Sequence, residues 1–254
     1  MFSQVYSNII INLILLILIM LIGGILPLIE RKYLSLIKRR VGPKYVGYKG
    51  RLQFIADALK LFLKGCFVPR ESNKFFFFFW PSLLFSICLV FWINIYWGNN
   101  LIYFDIEYNV VFFTLLSIFI HIIVTLVGYF SKNKYAWLGS IRALFVFFCF
   151  ELLIGVFFLI IFFYTKSFNI FILDIICREW CVFFSVNGMV NIICIIILIE
   201  VNKSPFDLTE AESELVTGYH LEYGGFYFGL FYLGEYFHLF YTSCFFSYIL
   251  FGFN

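Results

Sequence analysis

Between Glu200 and Gly225 the chain reads EVNKSPFDLTEAESELVTGYHLEYGG. This stretch holds six carboxylates, Glu200, Asp207, Glu210, Glu212, Glu214 and Glu222, against one cation, Lys203. Carboxyl groups at this density can serve in two ways. Solvated, they make an acidic surface. Sheltered from water, they favour their neutral forms, couple to one another and exchange protons near neutral pH. Two more acids interrupt otherwise uncharged runs: Glu151, which lies beyond Arg142 and well inside its run, and Glu235. A charge placed in hydrocarbon is expensive and usually functional. The plain alternative for either residue is a protonated Glu that hydrogen-bonds a neighbouring helix. Two of them beside an acidic loop favour proton handling.

The acidic stretch has local order. Ser204-Pro205-Phe206-Asp207 reads as a helix start, with Ser as N-cap, Pro in the first turn and an acid three residues after the cap. A helix from Pro205 would put Asp207, Glu210 and Glu214 on one stripe, with Glu212 pointing elsewhere. Like charges at that spacing repel unless solvated or partly protonated. Near the start of the chain, Glu30-Arg31-Lys32 closes an apolar run, and Arg31 could pair with an acid of the stretch above.

The elements that must hold these residues are apolar. Only 13% of the 254 residues are charged and 63% are hydrophobic, including 38 Phe. Soluble domains carry about 25% charged residues. A bilayer-crossing helix needs about 20 apolar residues. Six runs qualify, at about 5–29, 75–97, 108–130, 143–165, 180–199 and 225–250. The fourth is broken by Glu151 and the last by Glu235 and His238. The first run has no basic leader or small-residue cleavage site and is expected to be a retained helix. The expected fold is an all-α polytopic membrane domain spanning 1–254, with six transmembrane helices. No internal repeat is visible, which disfavours a transporter built from two similar halves.

The net charge of +3 hides a strong split between loops. Residues 31–74 carry 12 Lys and Arg, 99–109 none, 131–142 three and 166–179 two. Lys/Arg excess marks the inner compartment. The loops 30–74, 131–142 and 200–224 are therefore expected inside, and both termini outside. Anionic lipid could hold the basic first loop. That loop also contains GRLQFIADALKLFLKG, where Leu52, Ile55, Leu59, Phe62 and Leu63 recur at helical spacing. Gln53, Asp57, Lys60 and Lys64 fall on the other side, as in an interfacial amphipathic helix. Asp57 is the one acid between Glu30 and Glu71, and its default role is a solvated surface group.

The seven Cys show no CxxC pair and no Cys/His ligand spacing. Most sit in apolar runs, where a small apolar side chain suffices. Cys177 and Cys181 flank a loop, and the sequence leaves open whether they pair. Phe and Ile abound while Ala occurs five times, a bias that suits an AT-rich organelle gene.

Three blocks, taken in order, resemble a known family. ERKYLSLIKRRVGPKYVGYKGRLQFIADALKLFLKG, SKNKYAWLGSIRALFVFFCFE and EVNKSPFDLTEAESELVTGYHLEYGGFYFGLFYLGEY are similar to segments of the subunit 1 family of NADH dehydrogenase, membrane subunits of respiratory complex I. The resemblance anchors the chain from Glu30 to Tyr236 and implies a mitochondrial inner-membrane subunit joining the membrane arm to the redox arm. It implies a ubiquinone chamber along which Glu30, Arg31, Asp57, Lys203 and Phe206 lie. Glu200, Asp207, Glu210, Glu212 and Glu214 would form an acidic loop at its inner end. Glu151, Glu200 and Glu235 would continue a proton path into the membrane, with Arg142 a charged partner. Glu210, Glu214 and Glu200 are the first candidates to change protonation when quinone is reduced.

Ubiquinone would bind together with partner subunits, and no metal, flavin or iron–sulfur cluster is expected in this chain. Proton-translocating NADH:ubiquinone reductase activity would belong to the complex, with no independent catalysis. The partners implied are other subunits of both arms and membrane lipid, without nucleic acid. The family usually has Arg at the position of Lys203 and often an acid at that of Gly65. It also normally continues with two more helices, so a separate chain is expected to supply them. The rival readings are the equivalent subunit of a membrane-bound hydrogenase or plastid quinone reductase, a scaffold remnant, and a self-contained channel. The channel would need a repeat or a complete polar pathway, and neither is visible.

Overall fold

The computed structural model describes residues 2–95, 107–169, 189–200, 203, 206 and 218–251. Among them the chain is helical, with no strand. Seven α-helices form: α1 (Phe2–Ile37), α2 (Gln53–Leu63), α3 (Lys74–Val90), α4 (Asn109–Phe130), α5 (Lys134–Thr165), α6 (Met189–Glu200) and α7 (Gly225–Phe251). Short 3-10 turns occupy Tyr48–Gly50, Phe91–Asn94 and Gly218–His220. Among the described residues three segments are long and apolar enough to cross a membrane: Ile14–Ile37, Asn109–Phe130 and Lys134–Phe163. Lys74–Val90 is a shorter apolar helix.

Two helices outrun their apolar segments. In α1 the helix continues through Glu30-Arg31-Lys32 to Ile37. That places the charged triplet on a rigid helix, above the helix interior residue Pro27. In α5 the helix starts at Lys134, ahead of the apolar run, because Asn133 caps it by accepting from the Tyr135 N–H at 3.0 Å. Arg142 therefore rides on a helix. At the other end of α5, Lys166 takes the left-handed conformation and closes the helix through its N–H to the Phe162 carbonyl.

The core is aromatic. α7 packs against α1, α2, α3 and α6, while α4 packs against α3 and α5. Phe91, Phe113, Phe231, Phe237, Tyr241, Phe245 and Phe246 are fully buried along these contacts. Phe113 stacks on Phe245 at 4.4 Å, and Phe77 stacks on Tyr223 at 4.2 Å. Each such pair adds about 0.5–1.5 kcal/mol beyond the area it buries. Small residues let helices close on one another. A Cβ on Gly23 of α1 would overlap the Phe237 ring of α7.

α2 lies with the opposite roll from the one its apolar stripe suggests for a helix packed on protein. Leu52, Ile55, Leu59, Phe62 and Leu63 remain exposed, Leu63 at 86%. Phe54 instead faces Gly24 of α1, and Leu61 faces Gly229 of α7. Gln53 and Asp57 share that inward side, so the polar edge of the helix meets the bundle. The outward apolar stripe fits an interfacial helix. A second exposed apolar face runs along α5, through Phe145, Phe148, Leu152, Val156 and Phe163.

Candidate functional site

The charged residues gather in three groups along α7. The first is a rim where α1, α2 and α7 meet. Arg31 Nη1 donates to Asp57 Oδ2 at 2.6 Å, and Gln53 Nε2 donates to Asp57 Oδ1 at 3.0 Å. Beside them the Tyr236 hydroxyl donates to Glu30 Oε2, and Tyr232 Oη lies 3.4 Å from Tyr236 Oη. Lys32 anchors the loop by donating to the Lys49 carbonyl at 2.8 Å. The ammonium of Lys203 sits 4.5 Å from the centre of the Tyr236 ring, a cation–π contact. Phe206 is held near Lys203 by its N–H to the Lys203 carbonyl at 2.8 Å.

Asp57 keeps solvent access, as expected of a surface acid, and in addition Arg31 and Gln53 bond both its oxygens. Among the described residues Arg31 pairs with this acid of the first inner loop. The reason is the roll of α2, which turns Asp57 toward α1. Tyr232 and Tyr236 escaped the sequence reading. The available signal was their separation by four residues, which puts two hydroxyls on one helix face flanking the lone acid Glu235.

The second group surrounds Glu235. Tyr219 Oη donates to Glu235 Oε1 at 2.7 Å, and His220 Nε2 lies 3.1 Å from the same oxygen. Lys203 lies within electrostatic reach of Glu235 as well. The 3-10 turn Gly218–His220 brings both partners in, and it can sit against α5 because Gly139 has no side chain there. Next to it, burial pushes the Tyr223 hydroxyl up, so this phenol stays neutral.

The third group lies deeper. Glu200, the last residue of α6, is buried, and its Oε1 lies 3.5 Å from His238 Nε2. His121 of α4 stacks on Phe147 at 3.8 Å and reaches the Ser117 carbonyl through Nδ1 at 2.9 Å. Ser117 Oγ also donates to Glu151 Oε2 at 3.4 Å. Glu151 lies within electrostatic reach of Glu200. The structure therefore brings Glu151 and Glu200 into one neighbourhood and Glu235 beside it. Arg142 stands on the same helix as Glu151.

Glu222, one of the six acids of the acidic stretch, is a clamp. It accepts from Asn133 Nδ2 at 2.6 Å and ties the loop to the start of α5. Asp207, Glu210, Glu212 and Glu214, the expected acidic stripe, lie outside the described residues, as do Cys177 and Cys181. Cys66, Cys88, Cys149, Cys194 and Cys244 are free thiols. Among the described residues no group of three or more His, Cys, Asp or Glu could hold a metal ion.

The sequence model of the NADH dehydrogenase family matches residues 9–254. NADH-ubiquinone oxidoreductase chain 1 of Paramecium tetraurelia is 50% identical over 243 residues, covering 95% of this chain and 92% of that one. The chain 1 of Chondrus crispus is 37% identical over 211 residues, 82% of this chain and 64% of that one. An NADH-quinone oxidoreductase subunit of Rhodospirillum centenum is 36% identical over 206 residues, 80% of this chain and 61% of that one. This chain thus spans most of the Paramecium protein and less than two thirds of the other two. It belongs to the NADH dehydrogenase family, among the proteins named NADH-ubiquinone oxidoreductase chain 1 and their NADH-quinone oxidoreductase counterparts.

Proposed function

We propose that this chain is the membrane subunit of a proton-pumping NADH:ubiquinone oxidoreductase that walls the quinone chamber and begins the acidic path into the membrane arm. The observation that carries this reading is the position of Lys203. Its ammonium touches the Tyr236 ring of the rim and lies within electrostatic reach of Glu235. One cation thus stands between the Glu30–Arg31–Asp57 rim and the buried carboxylates. The names of the relatives, an NADH-ubiquinone and an NADH-quinone oxidoreductase, supply the substrate class.

In this reading quinone is the substrate, and the protein supplies position and field. A reduced quinone takes up two protons, and each uptake changes the charge felt by Lys203 and Glu235. Asp207, Glu210, Glu212 and Glu214 respond at the inner end, with Glu200 and Glu151 carrying the change onward. The chain crosses the mitochondrial inner membrane six times, with both termini on the intermembrane-space side. Its partners are subunits of the two arms.

The test is isolation from gently solubilised membranes. The chain should comigrate with NADH-to-quinone activity that a quinone-site inhibitor blocks. Migration as a small free species would overturn the reading. Within an assembled complex, Glu214→Gln or Glu151→Gln should impair quinone turnover or pumping. Impermeant labelling of single cysteines placed at 99–109 and 131–142 decides the orientation, and purified complex shows whether a second chain contacts α7.

A further inference from the structure

A partly open cavity lies between α3, α4, α5, α6 and α7 and the turn at Gly218–His220. Its polar lining is His121, Glu200, Tyr219, Glu235 and His238, with the Cys88 thiol and otherwise apolar side chains or glycine. About 40 Å³ of it is open to the centre of a water molecule. One water needs roughly 10–15 Å³ on that scale and two to four polar partners. The cavity therefore has room for about two or three waters, and its walls supply the partners.

The polar atoms facing it are poorly satisfied by protein. Glu200 Oε1 and Oε2 and His238 Nε2 are buried, and none has a hydrogen-bond partner among the described residues. The nearest approach, 3.5 Å between Glu200 and His238, is an ion-pair distance too long for a good hydrogen bond. Buried groups left in that state cost about 1–3 kcal/mol each unless water satisfies them. His121 has a defined tautomer. Its Nδ1 contacts a carbonyl oxygen, which can only accept, so Nδ1 carries the proton and Nε2 is left to accept. His121 and Glu235 both lie within electrostatic reach of His238.

We propose that this cavity holds a short chain of water and that His238 and His121 belong to it, relaying protons between Glu235 and Glu200. The inference rests on the proton-path reading above and adds two residues that the path did not include. The step balances. The carboxylic proton of Glu235 passes to the nearest water, and that water's own proton passes on, through water or a histidine nitrogen, to the Glu200 carboxylate. Glu235 is left anionic beside His220 and Lys203, and Glu200 becomes neutral. No water or histidine gains or loses a proton overall.

The experiment uses the intact complex. A density map that resolves buried water elsewhere should show ordered peaks within hydrogen-bond reach of Glu200, Glu235 and His238. A dry cavity would overturn the proposal. In assembled complex, His238→Leu should lose most of the protons translocated per NADH oxidised, while His238→Gln, which restores a hydrogen bond but carries no proton, should recover water density without recovering translocation. Full translocation in His238→Leu also overturns it. Glu200→Gln separates the two readings. If Glu200→Gln is impaired and His238→Leu is not, the histidine relay falls and the acidic path stands. If neither is impaired, the path itself falls. Should His238→Leu fail to assemble, the density decides alone.

Discussion

The rim and the buried acids handle charge in opposite ways. At the rim, Arg31 and Asp57 form an ion pair whose side chains remain 49% and 37% exposed. Each charge there has a protein partner and also reaches solvent. Around α7, Glu200 is only 1% exposed and has a neighbouring histidine at ion-pair distance but no hydrogen bond among the described residues. Glu235 is intermediate: deeply placed, yet held by Tyr219 and His220. A solvated, paired charge is fixed in its state and serves position. A buried carboxylate with few bonds is favoured in its neutral form by desolvation, and a charge or proton donor arriving nearby can change its state. The first arrangement suits recognition of a ligand, and the second suits movement of protons.

The largest expected effect comes from removing the middle member of this series. Glu235→Leu leaves the Tyr219 hydroxyl and one nitrogen of His220 without their shared acceptor. Stranding buried partners in this way costs about 3 kcal/mol or more. The complex should assemble poorly on a native gel, and quinone reductase activity should vanish with it. Glu235→Gln keeps an oxygen for Tyr219, so assembly should recover while pumping does not. Recovery of both would show that Glu235 serves packing alone and erase the contrast with the rim.

Next in size is a packing change that holds the two regions in register. Gly23 of α1 faces the fully buried Phe237 ring, one residue from Tyr236 of the rim and His238 of the cavity. Gly23→Val should cost about 1–3 kcal/mol through overpacking. Thermal release of the subunit from the complex should occur at a lower temperature, and Phe237→Leu should partly restore it. An unchanged release temperature would mean that α1 can shift away without disturbing α7.

The two regions were also unequally legible in the sequence. Glu151, Glu200 and Glu235 stood out because each is the rare charge at or within an apolar run, and hydrocarbon tolerates few. The seven helices among the described residues follow the apolar and amphipathic runs, with α1 and α5 outrunning theirs, since backbone groups in an apolar setting must bond within the helix. The Arg31–Asp57 pair was not legible. It joins residues 26 apart through the roll of α2, and that roll is set by Phe54 and Leu61 packing against glycines on two other helices. Tyr236 was hidden among 17 tyrosines. His238 read only as a break in the last apolar run and His121 carried no signal of its own, and their common cavity gives them a shared context. Glu222 was legible as an acid but not as a clamp, because Asn133 lies 89 residues away in sequence.

Within the rim itself, Tyr236→Phe tests the bond to Glu30. It removes one hydroxyl from a partly buried pair and should cost about 1 kcal/mol in stability. It keeps the ring that Lys203 rests on. If the rim positions quinone, the KM for quinone should rise while kcat changes little. A fall in kcat at constant KM would move Tyr236 out of the recognition group and into the proton-handling one.

The smallest effect belongs to the exposed ion pair. Exposed pairs contribute about 0.2–1 kcal/mol because water screens them and both side chains lose freedom. A double-mutant cycle with Arg31→Gln and Asp57→Asn should return a coupling energy in that range, measured as stability of the assembled subunit. The coupling should shrink further as salt is raised, since the Debye length falls to about 3 Å at 1 M. The same cycle read on quinone KM should give a larger coupling than the one read on stability. Arg31 Nη1 holds one oxygen of Asp57 and Gln53 holds the other, so the pair fixes an orientation at little energetic gain. A pair that matters for binding yet barely for folding is what a recognition rim requires. If both readouts gave the same small number, the pair would be ordinary surface charge, and recognition would rest on Glu30, Tyr236 and Lys203 alone.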